Sequence, residues 1–241
     1  TIEDLDRMTE AARNSDRKTQ VGHILRFNPL FAEVKLQCAQ GALGELFYLE
    51  ADYIHNLLVQ ADPARINPHL GNMNWYLEKE LPIVGGGVHQ LDLLRWFADS
   101  DVESVCGFGN SIAFPAMRSP DCMATLFQFA SGAVGKVSAL YGPVGDRPPH
   151  ANLAVYGTKG TFRAGKLMLG EAHDVVETDL SHLEMQGHPY DPQLHSFVES
   201  ILEDKPTMVD AFSGANSAAA TIVAAEAIAS GKVLKVPNYG A

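Results

Sequence analysis

The spacing of apolar residues changes along this chain from a helical period to a strand period. Leu5, Met8 and Ala11 recur at the spacing of one helix face. Thr1 and Asp4, directly in front of them, have the spacing of a capping box. The pattern therefore predicts a helix that begins at the first residues.

A strand and a second helix are predicted next. The apolar run Val21–Leu25 indicates a strand, and Asn28 followed by Pro29 is typical of a helix start. Gly41 is expected to end this helix. The first forty residues thus predict helix–strand–helix, which is half of an α/β unit.

From residue 44 onwards most apolar runs are typical of strands. Short turn segments separate several of them, which favours antiparallel pairing. The predicted strands cover 46–55, 102–114, 122–129, 133–141, 152–155, 161–169 and 233–236. Helices are predicted after the glycine run at 85–87, from Asp191, and over the alanine-rich segment 209–230. We expect an α+β fold: a large, open, mostly antiparallel sheet with helices on one face, preceded by a remnant of an α/β unit.

Composition and charge narrow the class of protein. The chain has 241 residues, of which 46% are hydrophobic, and a formal net charge of -11. This charge argues against nucleic acid or an anionic membrane as partner, because both attract Lys and Arg. Three widely spaced cysteines favour a reducing compartment, so we expect a cytoplasmic protein. The nine histidines show no paired ligand spacing, and no metal site is expected.

The segment around the glycine run carries the most informative chemistry. Three consecutive glycines lead into an apolar helix, and His89 lies in its first turn. The unpaired N–H groups there favour a neutral imidazole, which can exchange a proton with a substrate hydroxyl. A histidine that only caps or packs is the alternative. Asp92, one turn later, either accepts a hydrogen bond from the imidazole or the substrate, or holds the helix against the sheet.

Aromatic residues near the predicted strand ends are candidates for substrate binding. Tyr53, His55, Trp75 and Tyr76 would suit a sugar or polyol, because aromatic faces and hydroxyl donors both contact such molecules. The alternative is that they pack in the core. Lys79 is a candidate for contact with a substrate anion, or it is simply solvated.

Four short segments carry a resemblance to a known family. They are VGHILRFNP at 21–29, GALGEL at 41–46, GVHQLD at 87–92 and GTKG at 157–160. In this order they resemble the Gfo/Idh/MocA family of NAD(P)-dependent sugar and polyol oxidoreductases. That family combines an N-terminal Rossmann domain with a C-terminal α+β domain, whose sheet forms the substrate floor and much of the oligomer interface.

The resemblance implies two parts, residues 1–27 as a remnant of the Rossmann-type dinucleotide-binding domain and residues 28–241 as the C-terminal α+β domain. NAD or NADP is implied as cofactor, with its main binding domain absent from this chain. Arg26 and Asn28 would lie at the cofactor cleft, although Asn28 also fits a helix N-cap and Arg26 a structural contact. A homodimer or homotetramer through the sheet face is implied.

One departure from the family pattern bears on chemistry. Many members carry an Asp four residues before the histidine, where this chain has Gly85. The expected function is the substrate-binding and oligomerisation domain of a sugar or polyol oxidoreductase, with His89 and Asp92 as its catalytic residues. Because a proton relay needs its full set of groups, a non-catalytic sugar-binding or assembly module of the same fold is the alternative.

Overall fold

The computed structural model describes residues 1–56, 78–115, 117–145, 148–171, 173–185 and 187–240. The helices of these ranges are α1 (Ile2–Arg13), α2 (Pro29–Ala39), α3 (Pro82–Gly85), α4 (Gly87–Ala98), α5 (Tyr190–Leu202) and α6 (Ala211–Ser230). The strands are β1 (Leu46–Ile54), β2 (Val102–Asn110), β3 (Cys122–Phe129), β4 (Val134–Leu140), β5 (Ala154–Gly157), β6 (Gly160–Arg163), β7 (Lys166–Glu171), β8 (Asp174–Asp179) and β9 (Leu234–Lys235).

The strands form one open sheet in the order β8-β7-β6-β5-β1-β4-β3-β2-β9. The central pair, β1 and β4, is parallel, and every other neighbouring pair is antiparallel. The predicted α+β class with a mostly antiparallel sheet is confirmed.

The two faces of the sheet differ in what covers them. The helical side buries Leu49, Val105, Phe127 and Val137 with α4 and α6. On β2 the residues of the other face alternate with these, and Phe108 is 84% exposed there. The helices therefore cover one face, as the sequence indicates. No helix in the described ranges combines the length and apolar character that a membrane span requires.

The helix starts follow the capping signals. Thr1 Oγ1 accepts a hydrogen bond from the Asp4 backbone N–H in a complete capping box. Asn28 Oδ1 accepts from the Leu30 N–H, with Pro29 in the first helical position. Local side chains thus pair the N–H groups that a helix start leaves free.

The predicted strand at Val21–Leu25 is wrong. The segment runs into a 3-10 turn at Ile24–Phe27, and the Val21 N–H donates to the carbonyl of Val209 instead of to a neighbouring strand. The Val21 side chain packs closely against Gly214 of α6. Val21 is therefore covered by a helix, which a short apolar run alone does not distinguish from packing in a sheet.

The single strand predicted over 161–169 is also wrong, because the segment forms two strands. β6 and β7 are joined by a turn in which Ala164 and Gly165 have positive φ. β8, which was not predicted, pairs with β7 at the sheet edge and has only exposed residues. The division at residues 27/28 stays a prediction.

Candidate active site

The glycine run places His89 at the start of a helix, as predicted. α3 ends at Gly85, and Gly86 has right-handed helical angles (φ -101°, ψ -51°), so α4 continues almost directly from α3. The His89 N–H donates to the Gly86 carbonyl at 3.1 Å. A Cβ on Gly86 would lie 2.1 Å from Cε1 of Tyr53, so glycine at this position lets the tyrosine ring pack against the helix start.

His89 and Tyr53 line a cavity of about 500 Å³ on the helical side of the sheet. Its other polar walls are formed by Asn28, Asp52, Gln90, Glu184 and His188, and its apolar walls include Ile24, Leu25, Phe31 and Met185. Glu184 and Met185, which line this cavity, are not among the site residues that the sequence predicts. They are held at the cavity because both amide atoms of the Asn28 side chain bind the backbone of Met185.

The His89 imidazole is held in its neutral form. Burial is the main reason why the pKa of His89 is lowered to about 4, and it outweighs the raising effect of the nearby Asp92 carboxylate. The two rings meet edge to face, with 5.8 Å between their centroids. Nδ1 of His89 is buried and has no hydrogen-bond partner among the described residues. A neutral imidazole on a cavity wall can accept a proton from a bound hydroxyl group.

Asp92 lies one helical turn below His89 and is 1% exposed. Burial alone would raise the pKa of this carboxyl group, but nearby positive charge and hydrogen bonds from Arg26 and Ser217 hold it below its usual value. Burial keeps His23 itself neutral, so Arg26 is the effective cationic partner. The carboxylate therefore joins α4 to α6 and to the 3-10 turn. Its predicted part in proton transfer is not tested by this arrangement.

The two residues implied for cofactor binding have structural partners here. Arg26 binds Asp92 through two hydrogen bonds and lies over the ring of Trp96, with 5.5 Å between Cζ and the centroid. Asn28 caps α2 and binds Met185. Their cofactor contacts stay predictions.

Of the predicted substrate residues that the structure describes, only Tyr53 lines the cavity. Tyr53 also stacks on His55, with 5.8 Å between the ring centroids. His55 is buried beside Tyr141. Lys79 is exposed in the turn before α3. Trp75 and Tyr76 lie outside the described residues.

No Lys or Arg is among the described residues that line the cavity, which favours an uncharged ligand such as a polyol over the pyrophosphate of a dinucleotide. The two carboxylates of the cavity already have partners: Asn152 donates to Asp52 Oδ2 at 3.1 Å, and Glu184 accepts from the His150 backbone N–H, with His150 Nδ1 2.9 Å from its other oxygen. Lys136 forms an ion pair with Asp52 at 2.6 Å and so balances its charge. Within the described ranges, no three His, Cys, Asp or Glu side chains are grouped as a metal site.

The fold places the chain in a class of α+β domains that occur in oxidoreductases. A structure of levoglucosan dehydrogenase in complex with NADH and levoglucosan superposes with a TM-score of 0.78 at 20% identity. The match covers 99% of this chain and 71% of that one.

The chain belongs to the GFO/IDH/MocA family, because the family model of the GFO/IDH/MocA C-terminal domain matches residues 31–163, more than half of its length. Two curated relatives are each 26% identical. Scyllo-inositol 2-dehydrogenase (NAD(+)) of Bacillus subtilis matches over 69% of this chain and 46% of its own length. Inositol 2-dehydrogenase of Acidothermus cellulolyticus matches over 93% and 62%. The chain thus spans between about half and two thirds of these relatives.

Proposed function

We propose that this chain is the substrate-binding domain of an NAD(P)-dependent oxidoreductase that acts on a CH–OH group of a sugar or polyol. The observation that carries the proposal is the neutral imidazole of His89 on the wall of a cavity whose other polar groups suit hydroxyls. The two inositol dehydrogenases among the relatives support the substrate class.

In this proposal the chain's own residues bind the polyol and move one proton. Gln90, whose Oε1 has no partner among the described residues, and Glu184 take part in hydrogen bonds with the ring hydroxyls, and the face of Tyr53 packs against the C–H side of the sugar. The imidazole of His89 accepts the proton of the reacting hydroxyl. Its low pKa keeps it free to accept at neutral pH and makes it release the proton readily afterwards. The nicotinamide, when bound in the whole enzyme, supplies the hydride chemistry.

The test measures the oxidation of a panel of polyols by the protein as its reading frame encodes it. The reaction is monitored through the absorbance of the reduced nicotinamide. We expect turnover of at least one inositol or aldose. His89→Ala should lower kcat by about 10²–10⁴-fold, the usual contribution of general acid–base catalysis. His195→Ala is the matched control, because His195 is exposed on α5. Turnover that is unaffected by His89→Ala would contradict the proposed role.

A non-catalytic sugar-binding or assembly module is the second candidate, and the glycine at position 85 favours it. This function predicts polyol binding by the same protein with no turnover on either NAD⁺ or NADP⁺. For the chain alone we expect no tight dinucleotide binding under either function, because no Lys or Arg is among the described residues that line its cavity. A titration that shows micromolar affinity would overturn this expectation.

We also propose that two or four copies assemble through the sheet face opposite the helices. Phe108 and Leu126 lie on this face, 84% and 47% exposed. The β2–β3 register places Cys106 opposite Leu126 and Phe108 opposite Ala124, so these residues form one apolar patch. A second copy of the same sheet is the occupant that the uncovered face fits.

The cytoplasm is the compartment we propose. Cys38, Cys106 and Cys122 are all free thiols. Thiols without disulfide partners are typical of reducing compartments.

A further inference from the structure

The side chain of Glu80 occupies the space beside Gly85. A Cβ built on Gly85 would lie 1.6 Å from Oε1, 2.4 Å from Cδ and 2.7 Å from Cγ of Glu80. The three nearest atoms thus all belong to this one side chain. The φ of Gly85 is not positive, so its backbone does not require glycine. The carboxyl end of the Glu80 side chain would have to move for any other residue to fit at position 85.

Gly85, beside which this carboxyl group lies, comes four residues before His89. Because Gly86 keeps right-handed helical angles, positions 85 and 89 have nearly the spacing of i and i+4 in one helix. Side chains at that spacing share a face, with about 5–6 Å between their Cβ atoms. The ring of Tyr53 fills the space beside Gly86, between the two positions. The carboxyl group of Glu80 and the ring of Tyr53 therefore lie beside two consecutive glycines of the helix start that carries His89.

The carboxyl group is held on one side and unpaired on the other. The Tyr141 hydroxyl donates to Oε1 at 2.8 Å, and the backbone carbonyl of Glu80 accepts from Ser119 Oγ. Oε2 is buried and has no partner among the described residues. Burial raises the pKa of Glu80 to about 7, against a smaller lowering by the Tyr141 hydrogen bond. A buried carboxyl oxygen without a partner is costly, which favours a ligand that pairs with it.

We propose that Glu80 is the second proton-bearing group of this site and contacts a hydroxyl group of the bound polyol through Oε2, beside His89. It supplies from the preceding loop the carboxyl group that position 85 lacks. This inference rests on the proposed polyol oxidoreductase function.

The test moves the carboxyl group from position 80 to position 85, in the protein as its reading frame encodes it. Glu80→Ala and Glu80→Gln are expected to lower kcat for the polyol at least tenfold. Gly85→Asp alone is expected to lower the Tm, because the new side chain meets Glu80. The double variant Glu80→Ala/Gly85→Asp removes that conflict and is expected to regain both the Tm and at least tenfold of the kcat lost in Glu80→Ala. Glu78→Ala is the matched control, because Glu78 is exposed two residues earlier.

The outcomes separate this inference from the proposed function. Wild-type turnover that is unchanged in Glu80→Ala and Glu80→Gln overturns the inference alone. Recovery of the Tm in the double variant without recovery of kcat also overturns it, since Glu80 would then only fill space. If the wild type shows no turnover, the proposed function has failed. Ligand-observed NMR with inositol then tests whether Glu80 contacts the ligand. Binding that is lost in Glu80→Ala and regained in the double variant supports the contact, and any other result overturns it.

Discussion

The guanidinium group of Arg26 binds both oxygens of the Asp92 carboxylate, with 2.7 Å between Nε and Oδ2 and 2.8 Å between Nη2 and Oδ1. Ser217 of α6 donates a third hydrogen bond to Oδ1 at 2.8 Å. The pair joins the turn after His23 to the helix that carries His89. A buried ionic cluster thus fixes the position of the candidate catalytic histidine.

The first prediction concerns removal of one partner of this cluster. Asp92→Asn leaves the guanidinium group of Arg26 buried without a counter-charge, and it should lower the free energy of unfolding by about 3–5 kcal/mol. Urea unfolding measures the change. The control is Asp16→Asn in the exposed pair with Arg17, where a change within about 0.5 kcal/mol is expected. A loss below about 1 kcal/mol for Asp92→Asn would show that the pair is not essential to the fold.

The second prediction follows from the low pKa of His89, about 4 in the folded chain against 6.5 for an ordinary histidine. Between these values the unfolded chain binds more protons, so stability rises with pH. The contribution is fully present above pH 6.5 and is lost as the pH falls towards 4, by about 3 kcal/mol in all. His89→Asn should flatten the stability profile in that window.

An NMR titration of the histidine ring protons is the direct measurement. The His89 signal should have its midpoint near pH 4. For the stability profile, the control is His195→Gln at an exposed residue, which should leave that profile unchanged. A His89 midpoint near 6.5 would contradict the buried, neutral imidazole on which the proposed proton transfer depends.

Local signals predicted the helices and central strands because their causes lie within a few residues. The Thr1 capping box and the Asn28–Pro29 start pair N–H groups of their own helices. β3 was predicted with its observed bounds, because burial alternates along it. The Val21–Leu25 segment was mispredicted because its burial depends on Gly214, far along the chain.

Only the part of the candidate site that lies in one contiguous segment could be predicted from the sequence. His89 follows from the glycine run and the helix start, both of which are contiguous. The bond between Arg26 and Asp92 spans 66 positions, and the cavity wall at Glu184 is brought in by Asn28 across a still longer separation. The proposed role of Glu80 depends on the place of its side chain beside Gly85, which the sequence does not reveal.

The third prediction concerns the close contact at the helix start. Gly86→Ala places a methyl group where the Tyr53 ring lies, so the ring must move from the cavity wall. We expect a loss of about 1–3 kcal/mol, the usual cost of overpacking, together with a higher KM for the polyol. Gly22→Ala is the control, because a Cβ there has 4.0 Å to its nearest neighbour. Unchanged stability and KM in Gly86→Ala would indicate that Tyr53 does not depend on this glycine.

The last prediction concerns the uncovered face of the sheet. Phe108 is 84% exposed on β2, so Phe108→Lys removes apolar surface from the patch without disturbing the core. If two copies pair through this face, the variant buries a charge in the interface, and light scattering should show the assembly shift towards monomer at equal concentration. Val144→Lys, at a residue 97% exposed outside the sheet, should leave the mass unchanged. A wild type that is already a monodisperse monomer would contradict assembly through the sheet.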